Sequence, residues 1–534
     1  MRGVQRIYVY GMAAVSLFAV TLGVVNLTGV ILAPVVGLPF VPERFATWAG
    51  VLVVAFPLHL IHGMWVHRMA QENDEERRSG LRKAYEYGVA TLGGLLFILF
   101  AQRCLRAATF MALGGWFEDV RRWWLSLGTG VLNAGWGLLL VWYARVLLTS
   151  DGDLLQEGKE RRWRQVTLLV IGLVALFLWL QGGTRAGQVM ALVVLLPQRG
   201  VLTLGRWWAP PLSGAVASLL VGLGVWRWVW QRWVAWGEVT AEERYAVSRQ
   251  LFFYTGLGAG VGLFLVGLGY LLRLGLLGIL GVPPGDVWVW LPRSVWAAVA
   301  IPIGLGVAYV HWHSIQGESA RAGEGEPLVV ERLYMYVVSG VALAVLWWGG
   351  MTVIKALMVP LVTLPVGSTG AFRVWRQVLA TGLALVLVAG PVWIWHWHRV
   401  ERVARRKDEV GHKERLSLLR RVYVYGITFV SGVVVLIYSA RVAYFVWLRI
   451  LGFEIESVHE IVNVVGPALV SLGVWVYHLM VVVRDLRLER TRVEGGPRLE
   501  SLLAERERLW GRIREIDEEI ERLKGGGDVR PKSR

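Results

Sequence analysis

Apolar stretches of roughly 20 residues or more recur along the chain, and short charged segments separate them. At 1.5 Å of rise per residue, a helix of that length crosses about 30 Å of hydrocarbon. Of the 534 residues, 55% are hydrophobic and 18% charged, whereas a water-soluble chain of this length would divide into domains with polar surfaces. Many of the 29 tryptophans flank the apolar stretches, where an amphipathic ring suits the headgroup layer. Trp123 and Trp124, Trp207 and Trp208, and Trp393, Trp395 and Trp397 are examples.

The net charge of +17 would suit a nucleic-acid binder, but the basic residues sit at the boundaries of the apolar stretches rather than in one patch. Cationic loops facing anionic lipid explain them, so membrane lipids are the expected partner and nucleic acid is not. The single cysteine, Cys104, excludes an internal disulfide framework and any multi-cysteine metal site. It reads as a small buried hydrophobe. The first apolar run begins after Arg2 and Arg6 and continues past Asn26 towards Phe40, longer than a signal-peptide core, so it reads as a retained first helix.

The chain repeats itself. Four segments open alike: Arg6-Ile7-Tyr8-Val9-Tyr10-Gly11, Lys83-Ala84-Tyr85-Glu86-Tyr87-Gly88, Arg332-Leu333-Tyr334-Met335-Tyr336 and Arg421-Val422-Tyr423-Val424-Tyr425-Gly426. A looser fifth runs from Arg249 through Phe252 to Tyr254, and a sixth starts at Arg164 without the aromatics. Later in each unit Pro57, Gly306, Pro391 and Gly473 align, and a histidine follows five residues on: His62, His311, His396 and His478. Units two and three have Trp142 and Val229 there instead. The period fits one helix pair with its loops. It predicts six two-helix repeats, residues 1–80, 81–160, 161–243, 244–327, 328–415 and 416–490, followed by a charged tail, 491–534. The expected fold class is therefore all-α, a polytopic membrane helical bundle of about twelve transmembrane helices.

The basic-Tyr-x-Tyr opening and the Trp-x-x-His ending, repeated in tandem, resemble a bacterial family of multi-pass membrane proteins labelled only as a domain of unknown function. The resemblance covers most of residues 1–490, and units two and three depart from it by lacking the histidine. It implies an architecture and brings no activity or site residues.

The segments joining one pair to the next are rich in charge, as in Glu72-Asn73-Asp74-Glu75-Glu76-Arg77-Arg78, and their Lys/Arg excess places them in the cytoplasm of a cell bounded by its plasma membrane. An even number of spans puts both termini there too. In the tail, Leu499, Leu502, Leu509, Ile513, Ile516, Ile520 and Leu523 form a heptad seam broken only by Arg506. The seam predicts either a coiled coil, with a second copy or another protein, or an amphipathic helix lying on the protein's own cytoplasmic face or the bilayer. Gly525-Gly526-Gly527 ends it.

Few residues offer chemistry. His62, His311, His396 and His478 are candidates for a haem, because imidazole is a versatile ligand. The plainer expectation is a repeated structural staple in which each histidine bonds a tyrosine of the neighbouring helix. Arg106, Arg273, Lys355 and Arg441, with Arg103, Arg185 and Asn26 nearby, lie 18 to 21 positions into their helices, roughly 27 to 32 Å along. They read as side chains snorkelling to the outer headgroups, or as a cationic ring at the bundle centre that holds an anion or a lipid headgroup. The glycines from Gly256 to Gly262 do not follow a strand and are not a phosphate loop. Spaced four apart, Gly256 with Gly260 and Gly258 with Gly262 read as close-packing faces.

No catalytic constellation is evident, and carboxylates are scarce within the spans. The favoured expectation is a non-enzymatic membrane scaffold or interaction protein without a cofactor. The alternatives are a channel or transporter for an anionic or lipid-like solute, and a haem-binding redox membrane protein.

Overall fold

The computed structural model describes residues 3–114, 120–151, 159–196, 207–239, 241–283, 285–322, 329–363, 369–452 and 458–525. Among these residues the protein is all-α, with fifteen helices and no strand. Twelve are long: α1 Gly3–Val35, α2 Pro42–Glu72, α4 Gly80–Ala112, α5 Val120–Ser150, α6 Lys159–Leu195, α7 Ala209–Val239, α9 Val247–Ile279, α10 Val287–Ala322, α11 Val329–Thr363, α12 Thr369–Ala404, α14 Leu418–Ile450 and α15 Val458–Gly525. Three are short connectors: α3 Asp74–Arg77, α8 Ala241–Arg244 and α13 Glu409–Leu416. All twelve long helices are long and apolar enough to cross a membrane, and the chain is a multi-pass membrane protein.

The chain divides into two compact units, Met1–Tyr334 and Met335–Arg534. In the first, consecutive long helices pair as α1/α2, α4/α5, α6/α7 and α9/α10. The opening helices of successive pairs also touch in chain order, α1 with α4, α4 with α6, and α6 with α9. In the second, α14 pairs with α15, and α13 packs on both α12 and α14.

Local chemistry sets the helix ends. Ser79 and Ser417 cap α4 and α14, each side chain accepting from the backbone N–H of an arginine three residues on. The opening helices α1, α4, α9 and α14 are each followed by a left-handed glycine, Gly37, Gly114, Gly281 and Gly452, as the end of a helix turning back on itself requires.

Small residues bring the paired helices close. A Cβ on Gly260 would lie 2.8 Å from the Gly304 carbonyl, and one on Gly93 2.6 Å from that of Gly137. Gly256 faces the His311 ring and Gly260 faces α10, so that half of the expected glycine face packs. The other half does not. A Cβ on Gly258 would reach only Tyr334, at 3.7 Å, and one on Gly262 would meet nothing within 4 Å. Two glycines apart on a helix point to different sides, and only one side meets the partner. Cys104 is half-buried rather than buried, because Gly130 packs on its backbone and leaves the thiol side partly open.

Among the described residues of its own unit, the tail packs on no other helix. α15 carries the last span and the heptad region as one helix, and every described side chain from 501 to 524 is exposed. The side chain of Leu499, together with Gly526 and Gly527, falls outside the described residues.

Candidate functional site

The four aligned histidines share one geometry. Each Nδ1 lies 2.8 or 2.9 Å from the carbonyl oxygen four residues back: His62 on Leu58, His311 on Val307, His396 on Val392 and His478 on Val474. A carbonyl only accepts, so Nδ1 carries the proton in each neutral ring and Nε2 presents its lone pair. This polarity suits a ligating imidazole, but the surroundings are aromatic packing. His311 is fully buried among Trp226, Trp230, Phe252 and Phe253, with its ring against Gly256. His478 lies among Trp397, Tyr423 and Tyr477.

The expected histidine–tyrosine hydrogen bond is replaced by ring contacts, Tyr8 with His62 at 5.7 Å and Tyr423 with His478 at 6.2 Å. Each histidine satisfies its N–H on its own helix, and the tyrosine hydroxyls take tryptophan N–H groups instead. Trp393 donates to Tyr423 at 3.3 Å and Trp397 to Tyr477 at 2.6 Å. The recurring tryptophans are thus part of the joint between helices.

The basic residues within the spans are not buried. Arg106, Lys355 and Arg441 are exposed and Arg273 is half-buried; Arg103 and Arg185 are exposed as well. Arg106 lies over the Trp123 ring at 5.7 Å, and Asn26 donates to the Leu22 carbonyl at 2.8 Å on its own helix. Exposure at these depths is what snorkelling side chains require.

The groups brought together are ones the sequence reading passed over. Each short connector helix carries a Glu-Arg pair, with a further arginine six positions after the glutamate: Glu76, Arg77 and Arg82; Glu243, Arg244 and Arg249; Glu414, Arg415 and Arg420. The glutamate receives the opening helix of the preceding pair. Tyr10 donates to Glu76 at 3.0 Å and Arg6 pairs with it at 2.8 Å. Gln165 donates to Glu243 at 2.6 Å, and Arg164 pairs with the same carboxylate. Tyr336 donates to Glu414 at 2.6 Å. The adjacent arginine turns back to cap the helix it follows, Arg77 donating to the Ala70 carbonyl, Arg244 to Gly237 and Arg415 to Ala404. Such bonds satisfy carbonyls that the end of a helix leaves without partners.

The third residue locks the following hairpin. Arg82 holds Asp151 with two bonds, of 2.6 and 2.8 Å, donates to the Val66 carbonyl, and pairs with Glu86. Lys83 bridges Glu86 and Asp151 at 2.9 Å each. The four side chains, two basic and two acidic, are buried. Asp151 lies just beyond α5. Burial pushes its carboxyl up, but the bonds from Arg82 and Lys83 outweigh burial and hold it below its ordinary value. Arg249 donates to the Trp233 carbonyl, the same sixteen-residue reach as Arg82 to Val66. Arg420 takes Asp485 at 2.7 Å and Glu401 at 2.9 Å, and Arg484 also pairs with Glu401.

A ladder of aromatic rings runs beside these joints. The second tyrosine of one opening motif meets the first of the next: Tyr10 with Tyr85 at 6.0 Å, Tyr254 with Tyr334 at 5.3 Å and Tyr336 with Tyr423 at 5.5 Å. The Tyr-x-Tyr spacing therefore supplies one ring for each neighbour.

No curated protein and no solved structure matches the chain. Residues 6–123, 184–305 and 332–474 match one family model, described as domain of unknown function (DUF5671), and each match contains one of the three Glu-Arg joints. These matches cover more than half of the chain, which therefore belongs to the DUF5671 family.

Proposed function

We propose that this multi-pass membrane protein is a non-enzymatic scaffold or interaction protein, built of six two-helix repeats, without a resident cofactor. The observation that carries the reading is where its buried polar groups are employed. Glu76, Arg82, Asp151, Glu243, Glu414 and Arg420 are bonded to other helices or to helix ends. The same joint recurs three times along the chain, as a structural element does when a repeat is copied. The charged connectors and the even number of spans support placing both termini in the cytoplasm and the protein in the plasma membrane.

A second reading has one observation behind it. Val442, Phe445, Val446, Arg449, Ile461 and Val465 line an apolar groove of about 200 Å³ between α14 and α15. An acyl chain with its phosphate near Arg449 fits that chemistry, which favours a lipid-like solute over a small anion.

Native mass spectrometry of the full chain released from lipid nanodiscs tests the scaffold reading. The expected spectrum is protein with only loosely held lipid. A stoichiometric ligand that disappears in His311→Ala or His478→Ala would replace it with the redox reading. A ligand that disappears in Arg449→Ala would replace it with the carrier reading.

A further inference from the structure

We propose that the tail of α15 forms a parallel, in-register, two-stranded coiled coil with the tail of a second copy of this chain. The seam is open: Leu502, Leu509, Ile516 and Leu523 are 55%, 57%, 51% and 76% exposed, and none of the described residues covers them. These four occupy the d positions of a heptad, and Arg506, Ile513 and Ile520 occupy the a positions. Isoleucine at a with leucine at d, as in the heptad of Ile520 and Leu523, favours two parallel strands, whereas the heptad of Ile513 and Ile516 does not select that number, so the choice of two rests on the charges.

Charge complementarity points to the chain's own copy as the occupant. In a parallel pair each g residue faces the e residue of the following heptad on the other strand. Arg512 then faces Asp517 of the second copy, and Glu519 faces Lys524. Symmetry doubles both contacts, giving four attractive pairs. The single charge in the seam fits too. Beside Arg506 in the parallel, aligned arrangement stands Glu505 of the second copy, and a polar a residue of this kind fixes register. Leu503 and Trp510, at e positions, widen the apolar contact in the first half of the seam.

The membrane supplies the direction. Because α15 continues unbroken from the last span into the tail, two copies inserted the same way up present their tails side by side and pointing alike. Confinement to one bilayer also raises the effective concentration of the two tails, which suits a seam of only three to four heptads. The proposal deepens the scaffold reading by naming a partner. A chain that stays monomeric ends the proposal alone, whereas a stoichiometric bound ligand ends the scaffold reading alone.

The test is oxidative cross-linking of the full chain in membranes, in a Cys104→Ala background. Leu523→Cys should give a covalent dimer and Glu518→Cys, on the outer face, should not. In an antiparallel pair the two 523 positions stand roughly 30 Å apart at opposite ends of the seam, out of reach of a disulfide. Mass measurement in nanodiscs should give two chains for the parent. Arg512→Glu should weaken association roughly tenfold, and adding Asp517→Arg should restore it. A monomer or a trimer, equal cross-linking at 518 and 523, or a charge reversal without effect or without rescue would each overturn the proposal. The substituted tail residues are exposed in the single chain, so none of these outcomes depends on a failure to fold.

Discussion

The Tyr336 hydroxyl donates to the Glu414 carboxylate at 2.6 Å across 78 residues of sequence, as the Tyr10 hydroxyl does to Glu76 at 3.0 Å. Both tyrosines are buried, so each bond is a charge-assisted contact with little competition from water. Tyr336→Phe should destabilise the protein by about 1.5–3 kcal/mol, because it leaves Glu414 short of a donor. A thermal-unfolding cycle with Glu414→Gln should show coupling between the two changes, and additive effects would refute the contact.

Arg82 is the centre of a cluster of four buried ionisable side chains, two basic and two acidic. Arg82→Met should cost about 3–5 kcal/mol, since it leaves Glu86 and Asp151 sharing Lys83 alone. Arg82→Lys should recover only part of this loss, because a point charge cannot hold both Asp151 oxygens as the guanidinium fork does. Denaturation followed by tryptophan fluorescence orders the three proteins.

Asp151 gives stability a pH dependence of known sign. Its carboxyl is held below the ordinary 3.8, so the folded protein favours the ionised form more than the unfolded chain does. The resulting stabilisation is fully present above about pH 4 and is lost as pH falls through the lower, folded-state value. Unfolding temperature measured from about pH 3 to pH 7 should show this acid limb, and Asp151→Asn should shrink it while lowering the plateau.

Two glycines on one helix should respond oppositely. Gly260→Ala drives a methyl into the α10 backbone at Gly304 and Ala308, and should cost about 1–3 kcal/mol. Gly262→Ala meets open space and should stabilise by about 0.5–1 kcal/mol through helix propensity. Equal effects at the two positions would contradict the packing of α9 on α10.

Neutralising Lys355 or Arg441 should leave stability within about 0.5 kcal/mol of the parent, as expected of exposed side chains free to reach headgroups. A large loss in either variant would place these charges inside the protein.

The spans, the pairing of helices and the repeating tyrosines were all legible from residue order, because hydropathy and spacing along one helix are local properties. The partners of those tyrosines were not. Tyr10 and Tyr336 look to a carboxylate 66 and 78 residues away, on connector helices only 4 and 8 residues long whose charge reads as solvated loop. A signal was present: glutamate, arginine and a second arginine keep the same offsets at 76, 243 and 414. It is faint because charge at the ends of spans is expected of any membrane protein, so three matching offsets there do not stand out. The aligned histidines share a backbone bond four residues back, a geometry that spacing alone does not reveal.

Because a Tyr-x-Tyr motif can give one ring to the unit before it and one to the unit after, as Tyr334 and Tyr336 do, it works like a tile with a tab and a slot. Appending or deleting a unit that carries the motif leaves its neighbours able to match again, which lets gene duplication lengthen such a chain without redesigning those contacts. The run of matches is interrupted at the third unit, whose opening at Arg164 carries no aromatic ring. Tyr8 and Tyr425 are about half exposed, at 53% and 49%, while Tyr10, Tyr85, Tyr336 and Tyr423 are buried. A ring taken up by a neighbouring motif is thereby withdrawn from the surface.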